Sequence, residues 1–344
     1  MEEPMVVVGG GLAGRAVASA MTGRCPLIWA DSPSPESATP AAQALLANPM
    51  MSQKANPVWR AREAMEALGE WHSEHGVEPV ARGVLRPARD WKQMDIFRGR
   101  SERHADLASY HSQAESRERW PFLHAPHGTL FVPSGLAFRP EDFRSPSPSR
   151  AWKLTGFAEA AGEVTSTFET PDGPGTVRSG VLVLAMGSAL ATMPGTASLP
   201  LHPIKGQTAH TPVRLPERAP CISGGGYTVP VPDGTVVGST FEHQFEDPHP
   251  NPAAARDLVA RAANNLPLLA DAPVDRMRAG VRVTVPGTRL PMVGPLPGHS
   301  RVWIVTGLGS KGLLMSALIR RHFADWLAAP DSIPHEIRVR ERSA

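Results

Sequence analysis

Near its start, the sequence has a short apolar run that leads directly into closely spaced glycines. The run is Met5–Val8, and the next six residues, Gly9 to Gly14, fit the pattern G-x-G-x-x-G. Small and apolar residues then recur at helical spacing as far as Met21. This order predicts a buried parallel strand, a tight turn and a helix.

The strand–glycine–helix order is typical of a dinucleotide-binding turn. Its glycines permit a tight turn, close approach of the backbone to a pyrophosphate, and close packing of helix on strand. A second predicted strand, Pro26–Ala30, ends at Asp31, and a carboxylate there can accept hydrogen bonds from ribose hydroxyls. Asp31 in place of an arginine disfavours NADP. This segment alone leaves both FAD and NAD open.

A second pattern of the same kind lies near the other end of the sequence. Arg301–Thr306 is predicted as a short buried strand, and Gly307–Gly312 contains three glycines in six residues. Leu313–Leu327 then has one apolar and one charged face, which is typical of a helix. The start of that helix has free N–H donors and a positive potential, so we expect it to favour an anion or a polarised carbonyl.

Composition excludes several classes of protein. The 344 residues suggest two domains or one large one, and 41% hydrophobic content is sufficient for a substantial core. A formal net charge of +2 disfavours wholesale coating of nucleic acid. No apolar run approaches the ~20 residues of a membrane span, and no secretory signal precedes the first strand. A cytoplasmic protein without a membrane partner is expected.

Neither the cysteines nor the histidines predict a metal site. Cys25 and Cys221 are too few for a disulfide framework or a four-ligand zinc site. The histidine pairs at 72 and 75 and at 124 and 127 have metal-like spacing but no cysteine nearby. We therefore expect no metal.

Six segments spread over nearly the whole chain carry a family pattern. They are VVVGGGLAG at 6–14, VLVLAMG at 181–187, PIKGQ at 203–207, VVGSTF at 236–241, GVRVTVPGTRLPMVG at 280–294 and GLGSKGLL at 307–314. In this order they resemble the FAD-dependent oxidoreductases of the D-amino acid oxidase and glycine oxidase family. The segments around VVGSTF, RLPMVG and GLGSKGL also resemble the FAD domain of the bifunctional tRNA wobble-uridine methylaminomethyl biosynthesis protein.

The resemblance implies an architecture that combines α/β and α+β parts. A Rossmann-like FAD-binding domain is expected to be discontinuous, over residues 1–80, 140–200 and 285–344. An antiparallel β-sheet substrate domain is expected to be interleaved with it, over residues 81–139 and 201–284. Short strand-like runs after residue 187, separated by GGG and PDG turns, favour such a sheet.

The resemblance also assigns residues to FAD. Gln43 stands where the family has a glycine, so the resemblance leaves undecided whether the loop Ser37–Gln43 contacts the flavin. Neither cysteine lies near the flavin loop, so noncovalent FAD is expected. The cofactor-binding residues implied are Gly9, Gly11, Leu12, Ala13, Gly14, Asp31, Ser32, Thr39, Ala42, Val164, Ala185, Gly187, Gly307, Gly309, Ser310, Lys311, Gly312 and Leu313.

Three residues are candidates for the chemistry on the same grounds. Arg282 falls where the family has its carboxylate-binding arginine; Arg289 is the competitor, and a structural salt bridge is the alternative for both. Tyr227 either closes the substrate pocket or is an ordinary core or surface tyrosine. Lys311, with the helix that follows it, either stabilises negative charge on the reduced flavin or is a solvated lysine.

Other charged residues are interpreted without a catalytic role. Lys205, in PIKGQ, lies at the expected crossing between the domains and is assigned a structural role. Glu242 and Asp247 are assigned to a solvated turn.

The family reaction implied is removal of a hydride from a carbon that carries an amine, delivered to flavin N5, with dioxygen as the usual acceptor of electrons. A small amine or amino acid is the expected substrate. One alternative is an oxidative step on a modified tRNA uridine, which the small net charge disfavours. Another is a hydroxyacid-oxidising or non-catalytic flavoprotein, since fold similarity does not determine activity. The oligomeric state stays open.

Overall fold

The computed structural model of the chain describes residues 3–32, 42–143, 148 and 150–341. Thr39, one of the implied FAD contacts, lies outside these residues, as does most of the loop Ser37–Gln43.

The strands of the described chain are numbered β1 to β19 in sequence order. Their bounds are Met5–Val8, Leu27–Ala30, Leu45–Ala47, Met50–Met51, Asn56–Pro57, Ala81–Pro87, Ser109–His111, Thr129–Phe138, Lys153–Ala160, Glu163–Thr170, Gly173–Ser179, Val181–Leu184, His202–Thr211, Cys221–Ser223, Tyr227–Val231, Gly234–Gly238, Arg276–Thr284, Met292–Pro295 and Val302–Thr306.

The α-helices are numbered α1 to α6 in the same way. Their bounds are Leu12–Met21, Ala61–Glu74, Trp91–Arg103, Gln113–Arg119, Pro252–Ala263 and Gly312–Ala328. Short 3-10 helices span Pro140–Phe143, Gly187–Thr192, Pro267–Leu269, Gly309–Lys311 and Pro330–Ser332. Among the described residues, no helix combines the length and apolar character needed to cross a membrane.

The chain forms two compact units, each discontinuous in sequence. The first contains residues 1–40, 143–204 and 280–344, and the second contains residues 41–142 and 205–279. This division differs from the sequence-based boundaries mainly at residues 41–80, which belong to the second unit. The reason is strand pairing, because β3, which lies within these residues, pairs with β8 of that unit.

The first unit is built on a five-stranded sheet in the order β18-β19-β12-β1-β2. The strands from β19 to β2 run parallel, and β18 is antiparallel to β19. All four residues of β1 are buried, as expected for a central parallel strand. Helices α1 and α6 pack against each other.

A smaller antiparallel sheet, in the order β11-β10-β9, belongs to the same unit. Its inward residues Leu154, Val164 and Phe168 join Val6 and Leu182 of the large sheet in one hydrophobic core. Burial of this shared apolar surface is the main stabilising contribution to the unit.

The second unit is a mainly antiparallel sheet in the order β17-β13-β16-β15-β14-β6-β8-β3, with β7 also paired to β8. Strands β6 and β14 are parallel. Helix α5 packs on this sheet through Ala255, Leu258 and Val259, which share a core with Ile222 and Val237. Its start is capped by the Asn251 side chain and has proline at the first position, both common at helix N-termini.

One carboxylate holds the turn between β18 and β19. Glu159, on β9, accepts hydrogen bonds from the Ser300 hydroxyl at 2.7 Å and from the backbone N–H groups of Ser300 and Arg301 at 3.1 and 3.2 Å. Burial by itself raises the pKa of Glu159, but these hydrogen bonds outweigh it, so the pKa lies below its ordinary value of 4.5.

Glu159→Gln is expected to lower the free energy of unfolding at neutral pH by about 1–2 kcal/mol, because it weakens charged hydrogen bonds. A lowered folded-state pKa contributes stability above pH 4.5, and that contribution is lost as pH falls through the folded value. Denaturant unfolding of wild type and variant should therefore converge in acid. Glu169→Gln, which removes an exposed pairing with Lys153, is the control and should change stability little. Curves separated equally at all pH values would contradict this account.

Candidate functional site

Four parallel strands of the first unit end at the same edge of their sheet. The order along this edge is β2, β1, β12 and β19, and each strand pairs in parallel with the next. The residues that follow these strands are Asp31, Gly9, Ala185 and Gly307. Ligands of open α/β sheets bind outside the carboxyl ends of the strands. The sheet therefore brings four of the sequence-predicted residues to the edge where a ligand binds in such folds.

The turn after β1 requires glycine at two positions. Gly9 has a φ angle of +119°, and a Cβ atom there would overlap the carbonyl oxygen of Ala185. A Cβ atom at Gly14 would overlap the carbonyl oxygen of Gly9. The Gly9 carbonyl also accepts a hydrogen bond from Trp29 Nε1 at 2.9 Å. The glycines thus allow α1 to begin in direct contact with the end of β1.

Asp31 lies half-buried against this turn. A Cβ atom at Gly10 would overlap its carboxylate, which accepts hydrogen bonds from the backbone N–H groups of Gly10 and Ser32. Burial raises the pKa of Asp31 above its ordinary value, and the hydrogen bonds and the nearby charge of Arg15 only partly oppose that effect. A carboxylate at the end of the second strand is suited to accept hydrogen bonds from a ribose.

The turn after β19 also depends on glycine. Gly307 has a φ angle of +74°, and a Cβ atom there would lie 2.6 Å from Cγ2 of Val285. Gly309 has a φ angle of +54°. Ser310 lies between Gly309 and Lys311 in a single 3-10 turn, directly before α6 begins.

The starts of α1 and α6 meet at this edge. A Cβ atom added to Gly312, the first residue of α6, would lie 3.2 Å from Cδ1 of Leu12, the first residue of α1. Neither start has a hydrogen-bonded capping side chain or an acidic residue in its first turn, within the part of the chain that the structure describes. Their first N–H groups and positive ends are therefore available to an anion.

The two uncapped helix starts can be compared with what a dinucleotide cofactor needs. A pyrophosphate is an anion that a helix start binds well, and the bare backbone at Gly9 and Gly14 permits its close approach. Asp31 supplies a carboxylate for a ribose. The residues of the first unit therefore fit FAD.

Lys311 is held beside the second turn by a backbone contact. Its Nζ donates a hydrogen bond to the carbonyl oxygen of Arg289 at 2.8 Å, and Arg289 itself has a φ angle of +53°. Burial lowers the pKa of Lys311, and the charge of Arg289 lowers it further. The ammonium group has the same sign of charge as the start of α6, which makes its position there unfavourable. The two together produce a positive potential at the end of β19.

The other sequence-predicted residues fall in several environments. Arg282, a residue of the first unit, lies on β17 and is half-buried between the buried residues Val281 and Val283. Tyr227 is half-buried on β15 of the second unit, where Gly238 lies opposite it. The remaining positions are Leu12, Ala13, Val164, Ala185 and Leu313, which are buried; Gly11 and Ala42, which are half-buried; Ser32, which is exposed; and Gly187, with open space around it.

Two residues at this site were missed by sequence reasoning. Arg15 is buried, and its Nη1 donates to the carbonyl oxygen of Phe143 at 2.6 Å. A single arginine among the small residues of α1 was a signal for it. Thr306, the last residue of β19, is also buried, and its Oγ1 has no hydrogen-bond partner among the described residues. Its position directly before Gly307 was the signal.

Glu242 and Asp247, which were assigned to a solvated turn, lie beside a buried cation of the second unit, and Asp247 is exposed as expected. Lys205 is 7% exposed at its side chain, and its Nζ lies 3.8 Å from Glu242 and 3.6 Å from Asp247. Gln207 Nε2 donates to Glu242 at 2.7 Å. The expectation of a solvated turn was wrong for Glu242 because a buried ammonium group requires a counter-charge.

Comparison with known proteins identifies relatives in sequence and in fold. The family model described as FAD dependent oxidoreductase matches residues 5–326. A glycine oxidase of Pseudomonas putida is 33% identical over 187 residues, which is 53% of this chain and 50% of that protein. The tRNA 5-methylaminomethyl-2-thiouridine biosynthesis bifunctional protein MnmC of Thiobacillus denitrificans is 28% identical over 355 residues, which is 93% of this chain and 56% of that protein. The chain thus spans about half the length of these relatives.

Solved structures match over nearly the whole chain. Glycine oxidase from Geobacillus kaustophilus superposes with a TM-score of 0.80 at 19% identity, covering 97% of this chain and 99% of that one. Iminodiacetate oxidase from Chelativorans sp. gives a TM-score of 0.80 at 20% identity, covering 99% and 100%. The family model confirms the family resemblance, and the solved structures confirm the predicted fold class.

Proposed function

The chain belongs to the family of FAD-dependent oxidoreductases, and we propose that it oxidises the C–N bond of a small amine or amino acid. Dioxygen is the proposed acceptor of the electrons. The observation that carries the proposal is the meeting of two uncapped helix starts and two glycine turns at the carboxyl edge of the parallel sheet. One turn is suited to the phosphates of FAD, and the other to its ring.

When bound, FAD supplies the hydride-accepting chemistry, so the protein needs no nucleophilic side chain. Backbone N–H groups at the start of α1 would donate to the phosphates, and Asp31 would accept from a ribose. Leu12 and Gly312 bring the two helix starts within van der Waals distance. Their closeness keeps the two turns together at one edge of the sheet.

Positive potential at the second turn would favour reduced FAD over oxidised FAD. The start of α6 and the Lys311 ammonium group both contribute to it, because negative charge accumulates on the ring during reduction. The carbonyl oxygen of Arg289 holds the ammonium group in place by a 2.8 Å hydrogen bond.

Arg282 is proposed to orient a carboxylate-bearing substrate. A guanidinium group binds a carboxylate through two parallel hydrogen bonds, which sets both position and angle. Tyr227 is proposed as a substrate-contacting residue on the family resemblance. Both roles rest on the family resemblance and on the half-buried position of each side chain.

The direct test is reduction of the purified, FAD-loaded protein by candidate substrates without oxygen. Glycine, sarcosine and several D-amino acids are added in turn, and loss of the visible flavin absorbance is followed. Hydrogen peroxide release in air then tests dioxygen as acceptor. Bleaching by hydroxyacids alone would support the hydroxyacid alternative, and a flavin that no amine reduces would contradict the proposed reaction.

A second candidate is an oxidative step on a modified uridine of tRNA. The observation that favours it is coverage, because the MnmC relative aligns with 93% of this chain and the glycine oxidase with 53%. The test is mass spectrometry of nucleosides from tRNA incubated with the FAD-loaded protein. A nucleoside that loses mass only in the presence of the loaded protein would support this substrate. Unchanged nucleosides would exclude the tRNA samples used as substrates.

Lys311→Gln is expected to lower the midpoint potential of the bound flavin by about 30 mV, since about 1.4 kcal/mol of electrostatic stabilisation is lost for a two-electron couple. The difference should shrink as pH rises, because the wild-type ammonium group deprotonates above its lowered pKa. Lys153→Gln, at an exposed position of β9, is the control. Equal potentials for wild type and Lys311→Gln at neutral pH would contradict the assigned role.

A further inference from the structure

The second unit exposes a large aromatic side chain at the start of α3. Trp91 is 67% exposed, whereas tryptophan is usually largely buried. Only two other large hydrophobic side chains of the described chain are exposed, Phe241 and Met277, and they belong to other segments. An exposed tryptophan at a helix start is a candidate contact for a binding partner.

Neighbouring groups hold Trp91 in a defined position. Asp90 caps the helix by accepting from the Gln93 N–H at 2.7 Å, which fixes the backbone at Trp91. The imidazole of His127 packs edge-on against the indole, with ring centroids 4.8 Å apart. The Tyr110 hydroxyl donates to the carbonyl oxygen of His127 at 3.0 Å, which ties down the loop that carries this histidine.

Two exposed cations lie on the same helix. The Arg98 guanidinium group is 5.1 Å from the centre of the Tyr110 ring, and Lys92 directly follows Trp91. Neither cation forms a salt bridge with a carboxylate that the structure describes. Trp91, Lys92, Arg98, Tyr110 and His127 together are named the Trp91 surface. It combines a fixed aromatic ring with cations that have no anionic partner among the described residues.

We propose that the Trp91 surface binds a single-stranded nucleic-acid segment. An unpaired base stacks on the indole, and the flanking phosphates are neutralised by Lys92 and Arg98. A base with its phosphates is a ligand that offers both a planar ring and negative charge. This goes beyond the oxidation proposed above, and every residue of the surface belongs to the second unit.

The composition of the surface favours this partner over a membrane or a second protein. Stable membrane binding and protein interfaces use several apolar anchors together. Here Trp91 is the one exposed large hydrophobic residue. The other exposed residues of α3 as far as Arg98 are charged, namely Lys92, Asp95 and Arg98 itself. A net charge of +2 provides no broad positive field, so the proposed contact is limited to one or a few nucleotides.

The test is fluorescence anisotropy of a labelled twelve-nucleotide RNA titrated with the full-length, FAD-loaded protein at 50 to 200 mM salt. Trp91→Ala is expected to weaken binding about tenfold at each salt concentration, because base stacking is lost. Lys92→Gln combined with Arg98→Gln is expected to reduce the slope of log affinity against log salt by about 1.4. Phe241→Ala and Arg218→Gln, at exposed positions of the same unit, are the controls and should bind like wild type.

Several outcomes would overturn the proposal. The first two are absence of RNA binding at 50 mM salt and equal RNA affinity of Trp91→Ala and wild type. A third is that wild type binds polyglutamate as tightly as it binds RNA. The last two are Trp91-dependent binding to anionic vesicles instead of RNA, and Trp91-dependent self-association that excludes RNA. The visible flavin spectrum and substrate bleaching of Trp91→Ala should match wild type. Failure of RNA binding with normal bleaching would therefore contradict this inference and leave the proposed oxidation intact.

Discussion

Gly14→Ala is expected to prevent FAD binding at micromolar cofactor concentrations and to lower the free energy of unfolding by about 3 kcal/mol. The added methyl group would overlap the carbonyl oxygen of Gly9, so α1 must move away from the end of β1. That movement displaces the N–H groups proposed to bind the phosphates. FAD content from the visible spectrum and denaturant unfolding of the cofactor-free protein measure the two effects separately.

Two further glycine variants show whether the effect is local. Gly69 lies inside α2 with no atom within 4 Å of an added methyl group, so Gly69→Ala should bind FAD normally and be slightly more stable. Gly312→Ala places a methyl group 3.2 Å from Leu12, so it should fold and bind FAD several-fold more weakly. If Gly14→Ala binds FAD as wild type does, the phosphate turn has been assigned to the wrong residues.

Arg282→Ala is expected to lower kcat/KM for an amino-acid substrate by about 100-fold, because removing one partner of a desolvated charge pair costs about 2–5 kcal/mol. Loss of the guanidinium group should act more on KM, which rises, than on kcat. FAD content should stay unchanged. Arg282→Lys should restore only part of the loss, since lysine cannot make the paired hydrogen bonds. Steady-state peroxide release with each amino acid gives these values.

The matched substrate for this variant is the corresponding amine without its carboxylate. Arg282→Ala should leave turnover of that amine nearly unchanged, so the preference for the amino acid should disappear. Arg289→Ala tests the competing residue, which lies in an exposed turn. A loss that is equal for amine and amino acid, or a larger loss in Arg289→Ala, would contradict the carboxylate-binding role of Arg282.

The parts of the fold near the cofactor turns were predictable because they are determined by neighbouring residues in sequence. Met5–Val8 is a strand with the predicted bounds, and the predicted helix at Leu313–Leu327 lies within α6. Apolar runs of strand length and glycines with required backbone angles are local signals. The closeness of Leu12 and Gly312 follows once both strands join one parallel sheet.

Other features depend on contacts between residues far apart in sequence, and no local pattern reports them. Residues 41–80 join the second unit through pairing of β3 with β8, more than 80 residues later. The counter-charges of Lys205 lie 37 and 42 positions away, at Glu242 and Asp247. The hydrogen bond from the Ser300 hydroxyl to Glu159 joins residues about 140 positions apart in sequence. Such contacts arise only when the elements have packed.

The most direct measurement for the whole account is the visible absorption spectrum of the purified protein after addition of FAD and removal of the excess. We expect flavin bands and one FAD per chain, released on denaturation as a noncovalent cofactor is. Gly14→Ala should retain almost no FAD, and Gly312→Ala should retain less FAD than wild type. A protein that stays colourless, or that keeps FAD unchanged when either turn is altered, would contradict the claim that both turns hold a single cofactor.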